Sequence, residues 1–248
     1  MLQQRRIAVV IPAYREARLI AGTLSSLPDF VDAVYVVDDG SPDATASAAE
    51  SVGDARVRVM RHTVNLGVGA AIVTGYRRAL AEHADVVAVM AGDAQMDPRD
   101  LPAVLAPIVA GGADYIKGNR FRSPERGNMP LLRRLAGKVL SLATRLASGL
   151  EVDDCQCGYT AISRHALCTL PLDELWPRFG YPNDLLLLLA QHGLGVGEVT
   201  VRPLYGDERS GVRPWHAALI LWLIARRWLR QPSLLLTDAR HERAGRSV

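Results

Sequence analysis

The 248-residue chain carries 29 Lys and Arg against 26 Asp and Glu, and 49% of its residues are hydrophobic. This length and composition are typical of a globular protein with one large domain or two small ones and a core of useful size. Basic side chains are concentrated in residues 120–138 and 202–248, but an aromatic content of 6% provides no stacking platform beside these patches, which argues against nucleic acid as a partner.

The three cysteines are too few for a disulfide framework, and the Cys155-x-Cys157 spacing lacks the second ligand pair of a zinc site. We therefore expect free thiols in a reducing compartment. The stretch from Met1 to Arg6 is too short and too polar to be a secretory signal. We therefore expect a cytoplasmic protein.

Continuous apolar runs predict four strands that are buried on both faces, as in a parallel sheet. They cover residues 7–11, 33–37, 57–60 and 85–91, and helical patterns cover residues 16–27, 44–52, 68–83 and 101–110. This alternation predicts a doubly wound α/β half up to about residue 118. Right-handed crossovers would bring the carboxyl ends of these strands to one edge of the sheet.

The pattern changes after residue 118. It predicts a loop at 121–128, a helix at 129–150, a strand at 158–163, a helix at 182–192 and a strand at 196–201. The helix at 129–150 is amphipathic, and its apolar stripe consists of Leu131, Leu135, Val139, Leu142 and Leu146.

A last helix at 214–230 carries Trp and Arg at its ends and is too short to span a bilayer. Such a helix can lie in a membrane interface. It can equally pack on the core or form a contact in a homo-oligomer, and these interpretations remain open. The tail from Ala239 is predicted to be disordered.

A short acidic segment, residues 92–98, directly follows the apolar run 85–91. In an open α/β sheet, ligands bind at this end of the strands. Asp93, Gln95 and Asp97 offer the oxygen ligands that Mg²⁺ or Mn²⁺ prefers, and a metal with few protein ligands usually has phosphate as its other partner. A solvated turn, followed by a helix that opens at Pro98, is the alternative.

Polar segments follow the other three strands as well. Residues 11–16 lack the G-x-G-x-x-G of a dinucleotide-binding fold. Asp38 and Asp39 end the second strand, where a carboxylate can accept a hydrogen bond from a ribose hydroxyl or a base N–H, or merely cap the next helix. The glycines of residues 65–69 let the backbone approach a ligand closely, or form only a tight turn.

In this order, residues 11–16, 37–43, 65–69, 93–98, 118–121 and 154–159 resemble the motifs of family 2 glycosyltransferases of the GT-A fold. The resemblance covers about residues 6–205 and looks closest to the polyprenyl-phosphate sugar synthases. It implies a GT-A domain in residues 1–205, which is Rossmann-like α/β with a mostly parallel central sheet and helices on both faces. Residues 206–248 would add a C-terminal helical extension, made of a loop, an amphipathic helix and a tail.

The resemblance also implies roles for individual residues. The nucleotide-sugar site would contain Pro12, Ala13, Tyr14, Glu16, Asp38, Asp39, Asn65, Gly67 and Asp93. Asp93 would lie beside the diphosphate and act in catalysis, with Gln95 and Asp97 as further metal ligands. Arg120 and one of Arg133 or Arg134 would meet an acceptor phosphate.

Two positions depart from the family's pattern. The first Asp of its D-x-D motif falls on Ala91, so one metal ligand is missing and Asp97 would have to compensate. The Glu-Asp of many members is here Asn183-Asp184, and Asp184 is either a general base or an N-terminal helix cap. A phosphate acceptor is already anionic near pH 7 and needs no base, in which case Asp184 would orient the sugar.

These features predict an inverting enzyme that moves a hexose from a nucleoside diphosphate sugar to a polyprenyl phosphate, with peripheral contact to the inner face of a membrane. Arg209 or Arg213, on or beside a loop at 206–211 that is either a lid or a surface turn, would help to stabilise the leaving diphosphate. The alternatives are transfer to a saccharide or glycolipid hydroxyl with Asp184 as base, and a nucleotide-sugar-binding module without catalysis.

Overall fold

The computed structural model describes residues 2–124, 131–204 and 214–230. The strands are β1 (Ile7–Ala13), β2 (Ala33–Asp38), β3 (Val57–Arg61), β4 (Val86–Val89), β5 (Tyr115–Asn119), β6 (Thr160–Ser163) and β7 (Val196–Thr200). The helices are α1 (Ile20–Ser25), α2 (Thr45–Glu50), α3 (Val68–Ala81), α4 (Leu101–Val109), α5 (Leu131–Ser148), α6 (Arg164–Thr169), α7 (Tyr181–Gln191) and α8 (Pro214–Leu229). Arg209, Arg213 and the tail from Ala239 lie outside the described residues, as do the side chains of Leu131 and Arg133.

The seven strands of the described residues form one sheet in the order β3-β2-β1-β4-β6-β5-β7. The pairs along β3, β2, β1 and β4 are parallel, as is the pair β5–β7, whereas β6 runs antiparallel to both of its neighbours. The predicted α/β class with a mostly parallel sheet is therefore confirmed. Ala13 lies opposite Asp38, and Asp38 opposite Arg61, so the carboxyl ends of three strands are level.

Alternate residues of the strands point to opposite faces of the sheet and enter two separate cores. Ala8 and Val10 of β1 belong to the core that α3, α5, α7 and α8 cover. Ile7, Val9 and Ile11 belong to the core under α1, α2 and α4. Each fully buried aliphatic side chain of this kind contributes about 1.5–3 kcal/mol, which explains why apolar runs without polar alternation form the central strands.

Three elements differ from the sequence prediction. Helix α1 begins only at Ile20, because the chain turns at Arg15, whose φ of 63° is left-handed. The sequence does not predict β5, because Lys117 and Asn119 interrupt its apolar character, although both side chains are buried and hydrogen-bonded. It also does not predict the short helix α6.

The terminal helix α8 packs against α5 and α7 through Ile220, Leu223 and Ile224, which are all buried. One face of this helix is therefore part of the core, as one of the open interpretations expects. Across the ranges that the structure covers, no helix combines the length and the apolarity that crossing a bilayer requires.

Candidate active site

The carboxyl ends of β1 to β4 and the turns that follow them form one edge of the sheet, which we call the donor edge. Backbone hydrogen bonds join these ends directly. The Asp39 amide donates to the Ala13 carbonyl at 2.9 Å, and the His62 amide donates to the Asp38 carbonyl at 2.9 Å. The turn after β4 is tied to α1, where Thr23 Oγ1 donates to the Gly92 carbonyl at 3.3 Å. Segments that are up to about eighty residues apart in the sequence thus meet.

Asp38 is fully buried at the end of β2. Its Oδ1 accepts a hydrogen bond from the Ser41 amide at 3.0 Å, but its Oδ2 has no hydrogen-bond partner among the described residues. The nearest cation is Arg61, whose Nε lies 3.2 Å from Oδ2 without the geometry of a hydrogen bond. Because buried polar atoms are almost always hydrogen-bonded, this oxygen is suited to a donor group from a ligand.

Asp39 has a different environment, since both of its carboxylate oxygens are satisfied within the protein. Oδ1 accepts from the Leu66 amide at 2.9 Å and lies 2.7 Å from His62 Nδ1, and Oδ2 accepts from the Gly67 amide at 2.7 Å. Asp39 therefore shapes the turn at residues 62–67. The predicted contact of Asp39 with a nucleotide has no support in this geometry.

The segment 65–70, which we call the donor loop, is seated on residues 176–178. The Ala70 amide donates to the Pro177 carbonyl at 3.0 Å. A methyl group at Gly67 would lie 2.5 Å from the Pro177 carbonyl oxygen, and one at Gly69 would lie 2.3 Å from the Trp176 carbonyl oxygen. Only glycine permits this close approach, which explains the two glycines that the sequence motif contains.

The turn after β1 lies beside the turn after β2. The Arg15 amide donates to Ser41 Oγ at 3.0 Å, and the Glu16 amide donates to Thr45 Oγ1 at 2.9 Å. Tyr14 stays exposed at this rim, with the Arg15 guanidinium 5.3 Å from the centre of its ring. Pro12 and Ala13 are the last two residues of β1, so the strand itself positions the turn that carries Tyr14.

Asp93 lies partly exposed in the turn after β4, where its Oδ1 accepts a hydrogen bond from the Gln95 amide at 3.1 Å. Ala94 between them has a φ of 58°, so the turn is tight. Asp93 and Gln95 therefore share one short turn at the donor edge.

Asp97 is 2% exposed and paired with arginines. Arg99 donates to it from Nε and Nη2 at 2.6–3.0 Å, and Arg202 Nη2 lies 3.6 Å away. The hydrogen bonds from Arg99 hold the pKa of Asp97 below its usual value, although burial opposes them. This pairing argues against Asp97 as the ligand that compensates for Ala91. Within the described ranges, no group of three or more His, Cys, Asp or Glu side chains could hold a metal ion.

Arg120 follows β5 and forms a bidentate ion pair with Asp154. Its Nε and Nη2 donate to the carboxylate at 2.8 and 2.9 Å, and its backbone amide adds a third bond at 3.1 Å. Burial raises the pKa of Asp154, but the charge and hydrogen bonds of Arg120 outweigh that effect, and the pKa is lowered. The buried Lys117 donates from Nζ to the Cys157 carbonyl at 2.6 Å, which holds the same segment.

Glu198 of β7 completes this network, and no sequence motif points to it. Its carboxylate accepts hydrogen bonds from Asn119 Nδ2 at 2.8 Å and from the amides of Asp153 and Asp154 at 2.9 Å. The sequence signal that could have indicated a site near Glu198 is the pair of polar residues in β5, Lys117 and Asn119. They lie just before Arg120 in the sequence.

Asp184 lies in the first turn of α7 and is 3% exposed. Its Oδ1 accepts from Arg227 Nε at 2.6 Å, and its Oδ2 accepts from Arg227 Nη2 at 2.9 Å and from the Trp176 amide at 2.8 Å. A carboxylate that is buried and bound in this way has no oxygen that faces an acceptor hydroxyl. The geometry therefore argues against Asp184 as a general base, and it does not cap α7 either, because that helix has no side-chain cap.

Helix α5 carries a stripe of exposed apolar side chains at i, i+4, i+7 and i+11, which lie on one helix face. We call it the α5 stripe, and it consists of Leu135, Val139, Leu142 and Leu146, each of which is 51–78% exposed. Arg134 is half-buried and Lys138 is exposed one turn later. The helix adjoins the Arg120 region, because Cys155 donates its amide to Ser141 Oγ at 3.1 Å.

Helix α8 also leaves large apolar side chains exposed on the face that does not enter the core. They are Trp215, Leu221, Trp222, Trp228 and Leu229. Arg226 lies on the same helix, with its guanidinium 5.2 Å from the centre of the Trp222 ring. Two neighbouring helices, α5 and α8, thus both present apolar residues together with cations.

Residues 8–170 match the model of the family described as "Glycosyl transferase family 2", which spans the donor edge and the Arg120–Asp154 pair. The chain belongs to this family. The protein is therefore a glycosyltransferase, and the alternative of a binding module without catalysis is not supported.

Two relatives extend the match over most of the chain. An undecaprenyl-phosphate mannosyltransferase of Micrococcus luteus is 31% identical over 236 residues, which cover 90% of this chain and 96% of the relative. A UDP-N-acetylglucosamine–dolichyl-phosphate N-acetylglucosaminyltransferase of Methanococcus voltae is 30% identical over 222 residues, which cover 83% of this chain and 88% of the relative.

The fold is also that of solved glycosyltransferases. The crystal structure of M. tuberculosis glucosyl-3-phosphoglycerate synthase superimposes with a TM-score of 0.70 at 24% identity, over 93% of this chain and 83% of that one. At this level of identity the likeness establishes the fold, and it agrees with the GT-A fold that the motifs imply.

Proposed function

We propose that this glycosyltransferase moves one hexose from a nucleoside diphosphate sugar to a polyprenyl phosphate at a membrane surface, with inversion at the anomeric carbon. The observation that carries the proposal is the exposed α5 stripe beside Arg134 and Lys138, next to the Arg120 region. A lipid tail needs apolar surface, and its phosphate needs cations. The names of the two relatives support a polyprenyl phosphate acceptor, and they differ in the sugar.

The donor nucleotide would lie along the donor edge. Asp38 Oδ2 is a buried acceptor without a hydrogen-bond partner in the described residues, and it would accept from a base N–H or a ribose hydroxyl. The donor loop, with Asn65 and Gly67, and the exposed ring of Tyr14 would flank the nucleoside. Arg209, which the sequence predicts to stabilise the diphosphate, lies outside the described residues.

The residues at the turn after β4 fit a divalent cation only if the donor supplies further ligands. Asp93 is one carboxylate and Gln95 one amide, whereas Asp97 is occupied by arginines. A Mg²⁺ or Mn²⁺ ion is commonly held by one or two carboxylates together with substrate phosphates. When bound, such an ion would supply positive charge to the leaving diphosphate.

The reaction needs no general base in this assignment. An anionic oxygen of the acceptor phosphate attacks the anomeric carbon on the side opposite the diphosphate. The bond between that carbon and the diphosphate oxygen breaks, and the nucleoside diphosphate leaves with the electron pair. No proton has to be removed, which agrees with a buried Asp184 that is bound to Arg227.

The α5 stripe and the exposed residues of α8 would lie in the interface between the membrane and water without crossing the membrane. Arg134 and Lys138, one turn apart on α5, would attract the acceptor phosphate together with Arg120. The side chain of Arg120 also holds Asp154, so it would orient the acceptor site as well as contribute charge.

The test is an acceptor panel with the purified enzyme. UDP-, GDP- and dTDP-hexoses are each supplied with Mn²⁺ and either a polyprenyl phosphate in vesicles or an oligosaccharide. We expect one donor to give a lipid-phase product whose sugar is released by mild acid, as a glycosyl phosphodiester should be. Transfer to the oligosaccharide alone would contradict the proposal and favour a hydroxyl acceptor.

A further inference from the structure

Residues 174–180, which we call the linking segment, lie between the donor loop and helix α8. No sequence motif points to this segment. It connects the end of a short helical turn, Leu172–Glu174, to the start of α7. Its backbone contacts the donor loop on one side and side chains of α8 on the other. The linking segment therefore connects the donor loop to α8.

Contacts with the donor loop are short and involve the backbone. The Pro177 carbonyl accepts from the Ala70 amide at 3.0 Å, and the Trp176 and Pro177 carbonyls occupy the space that side chains at Gly69 and Gly67 would need. Arg178 donates to the Asn65 side chain at 3.3 Å and to its carbonyl at 3.1 Å. A displacement of the linking segment would therefore displace the donor loop.

Contacts with α8 centre on one arginine. Arg227 binds the Asp184 carboxylate in a bidentate manner and donates from Nη2 to the Glu174 carbonyl at 2.9 Å. Asp184 in turn accepts from the Trp176 amide at 2.8 Å. The Asp184–Arg227 pair thus fixes two backbone groups of the linking segment, at Glu174 and at Trp176.

Apolar contacts reinforce this arrangement. The rings of Trp176 and Trp222 meet edge to face with their centres 6.5 Å apart. Gly180 has a φ of 103°, and a methyl group there would lie 2.7 Å from Leu223 Cδ1. The linking segment is therefore held closely against α8 as well as against the donor loop.

We propose that Asp184 and Arg227 are positioning residues for the donor: through the linking segment they hold the donor loop in the conformation that binds the nucleotide. The inference rests on the proposed place of the nucleotide at the donor loop. A buried ion pair adds little net stability compared with apolar residues of similar size, but it fixes geometry. Loss of Arg227 would leave a buried carboxylate unpaired, and the backbone groups that it and Asp184 hold would shift.

The experiment compares Arg227→Met, Arg227→Lys and the double variant Asp184→Asn/Arg227→Met with the wild type. Donor KM, acceptor KM and kcat are measured, and binding of UDP and of GDP is measured separately by calorimetry. A shift of about 1 Å at a bound substrate can change rates about a hundredfold. We expect Arg227→Met to raise donor KM and the Kd of the bound nucleotide about tenfold, with acceptor KM changed less than about twofold.

Two comparisons separate positioning from a general effect on folding. Arg227→Lys should recover part of the donor affinity, because it restores the charge without the bidentate geometry. Arg56→Met is the matched control, since Arg56 also holds one carboxylate, Asp54, in a bidentate manner and donates to backbone carbonyls, those of Pro28 and Val31, at the other end of the sheet. This control should leave donor KM unchanged.

An unchanged nucleotide Kd in folded Arg227→Met would overturn the inference. So would a double variant that binds nucleotide like the wild type, or equal effects of Arg227→Met and Arg56→Met. The proposed function fails in a different way, namely if the wild type transfers no sugar to a polyprenyl phosphate. Calorimetry with nucleotide alone does not depend on that result, so the two failures are distinguishable.

Discussion

The donor edge differs in construction from the region of the proposed acceptor site, which we call the acceptor side and which comprises the Arg120–Asp154 pair and helices α5 and α8. At the donor edge, backbone groups of neighbouring turns bind each other and two buried aspartates, Asp38 and Asp39. On the acceptor side, ion pairs between segments far apart in the sequence, such as Arg120–Asp154, hold the structure, and two helices leave apolar residues exposed. The first region is suited to a rigid polar ligand, and the second to a surface with an apolar and an anionic part.

In the proposed function, the rigid donor edge binds the nucleotide and the exposed helices face the lipid acceptor. A nucleotide needs hydrogen-bonding groups that are fixed before it binds, because ordering them on binding would cost affinity. The lipid acceptor that we propose would stay in its membrane, so the proposed function requires an outer face that can contact that membrane. Substitutions in the two regions should therefore affect different kinetic constants.

The largest effect is expected at Asp93. Asp93→Asn keeps an oxygen that can accept from the Gln95 amide but removes the negative charge that we propose to lie beside the diphosphate. Loss of one preorganised electrostatic contact in a transition state typically lowers kcat about 10²- to 10³-fold. We expect a loss of this size in steady-state assays, with an unchanged circular dichroism spectrum. Asp173→Asn, which changes an exposed carboxylate, is the control, and activity of Asp93→Asn within about twofold of wild type would refute the assignment.

Asp154→Asn should have the largest effect on stability. It breaks a buried ion pair with Arg120, which typically costs about 3–5 kcal/mol in the free energy of unfolding at pH 7. Because the folded pKa of Asp154 is lowered, its contribution is present above the unfolded pKa of about 3.9 and is lost as the pH falls through the folded pKa. Urea denaturation should therefore show a penalty that shrinks below about pH 4.

Asp153→Asn is the neighbouring control for this prediction. Asp153 is half-buried and pairs with Arg122 and Arg145, whose side chains are about half exposed. Ion pairs of this kind contribute about 0–1 kcal/mol, so its loss should change stability little. A similar penalty for both variants, or one for Asp154→Asn that is independent of pH, would contradict the account of the buried pair.

A smaller effect, on binding alone, is expected from Asp38→Asn. The buried Oδ2 of Asp38 lacks a hydrogen bond in the described structure, and its ion-pair partner Arg61 is mostly exposed, so removing its charge should change the free energy of unfolding little. The loss of a charged hydrogen bond to the donor should cost about 1.5–3 kcal/mol of nucleotide affinity, or roughly 10- to 100-fold in Kd. Calorimetry and thermal unfolding of the same sample test both parts. A less stable variant with unchanged nucleotide affinity would show a structural role instead.

The sequence predicts the donor edge better than the acceptor side, for a physical reason. Strand ends in a parallel sheet meet at one edge by topology, so a motif after each strand locates a residue such as Asp38 in space. No such topological rule predicts which residues far apart in the sequence form ion pairs or hydrogen bonds. Nothing in the sequence near Asp184 indicates that Arg227 pairs with its carboxylate. Nothing near Asp154 indicates that Glu198 accepts a hydrogen bond from its backbone amide.

Local composition also predicts poorly which side chains of the turn after β4 are available to a metal ion. Asp97 has the spacing of a ligand, but Arg99, two residues later, occupies its carboxylate together with the distant Arg202. The amphipathic pattern of α5, in contrast, is correctly predicted as a helix, while its exposure depends on which elements pack on it. Its stripe remains uncovered in the described structure, and only the fold reveals this.

In the proposed function, the α5 stripe brings the enzyme to a membrane-bound phosphate acceptor, separately from the donor edge. The most direct measurement is the transfer rate of wild type and Leu142→Ser/Leu146→Ser with two acceptors, a long-chain polyprenyl phosphate in vesicles and a water-soluble short-chain one. Removing two exposed leucines should weaken vesicle binding about tenfold or more. We predict a loss of that size with the vesicle acceptor, nearly unchanged transfer to the soluble acceptor, and an unchanged donor KM. Equal rates of both proteins on vesicles, or an equal loss with both acceptors, would contradict the account.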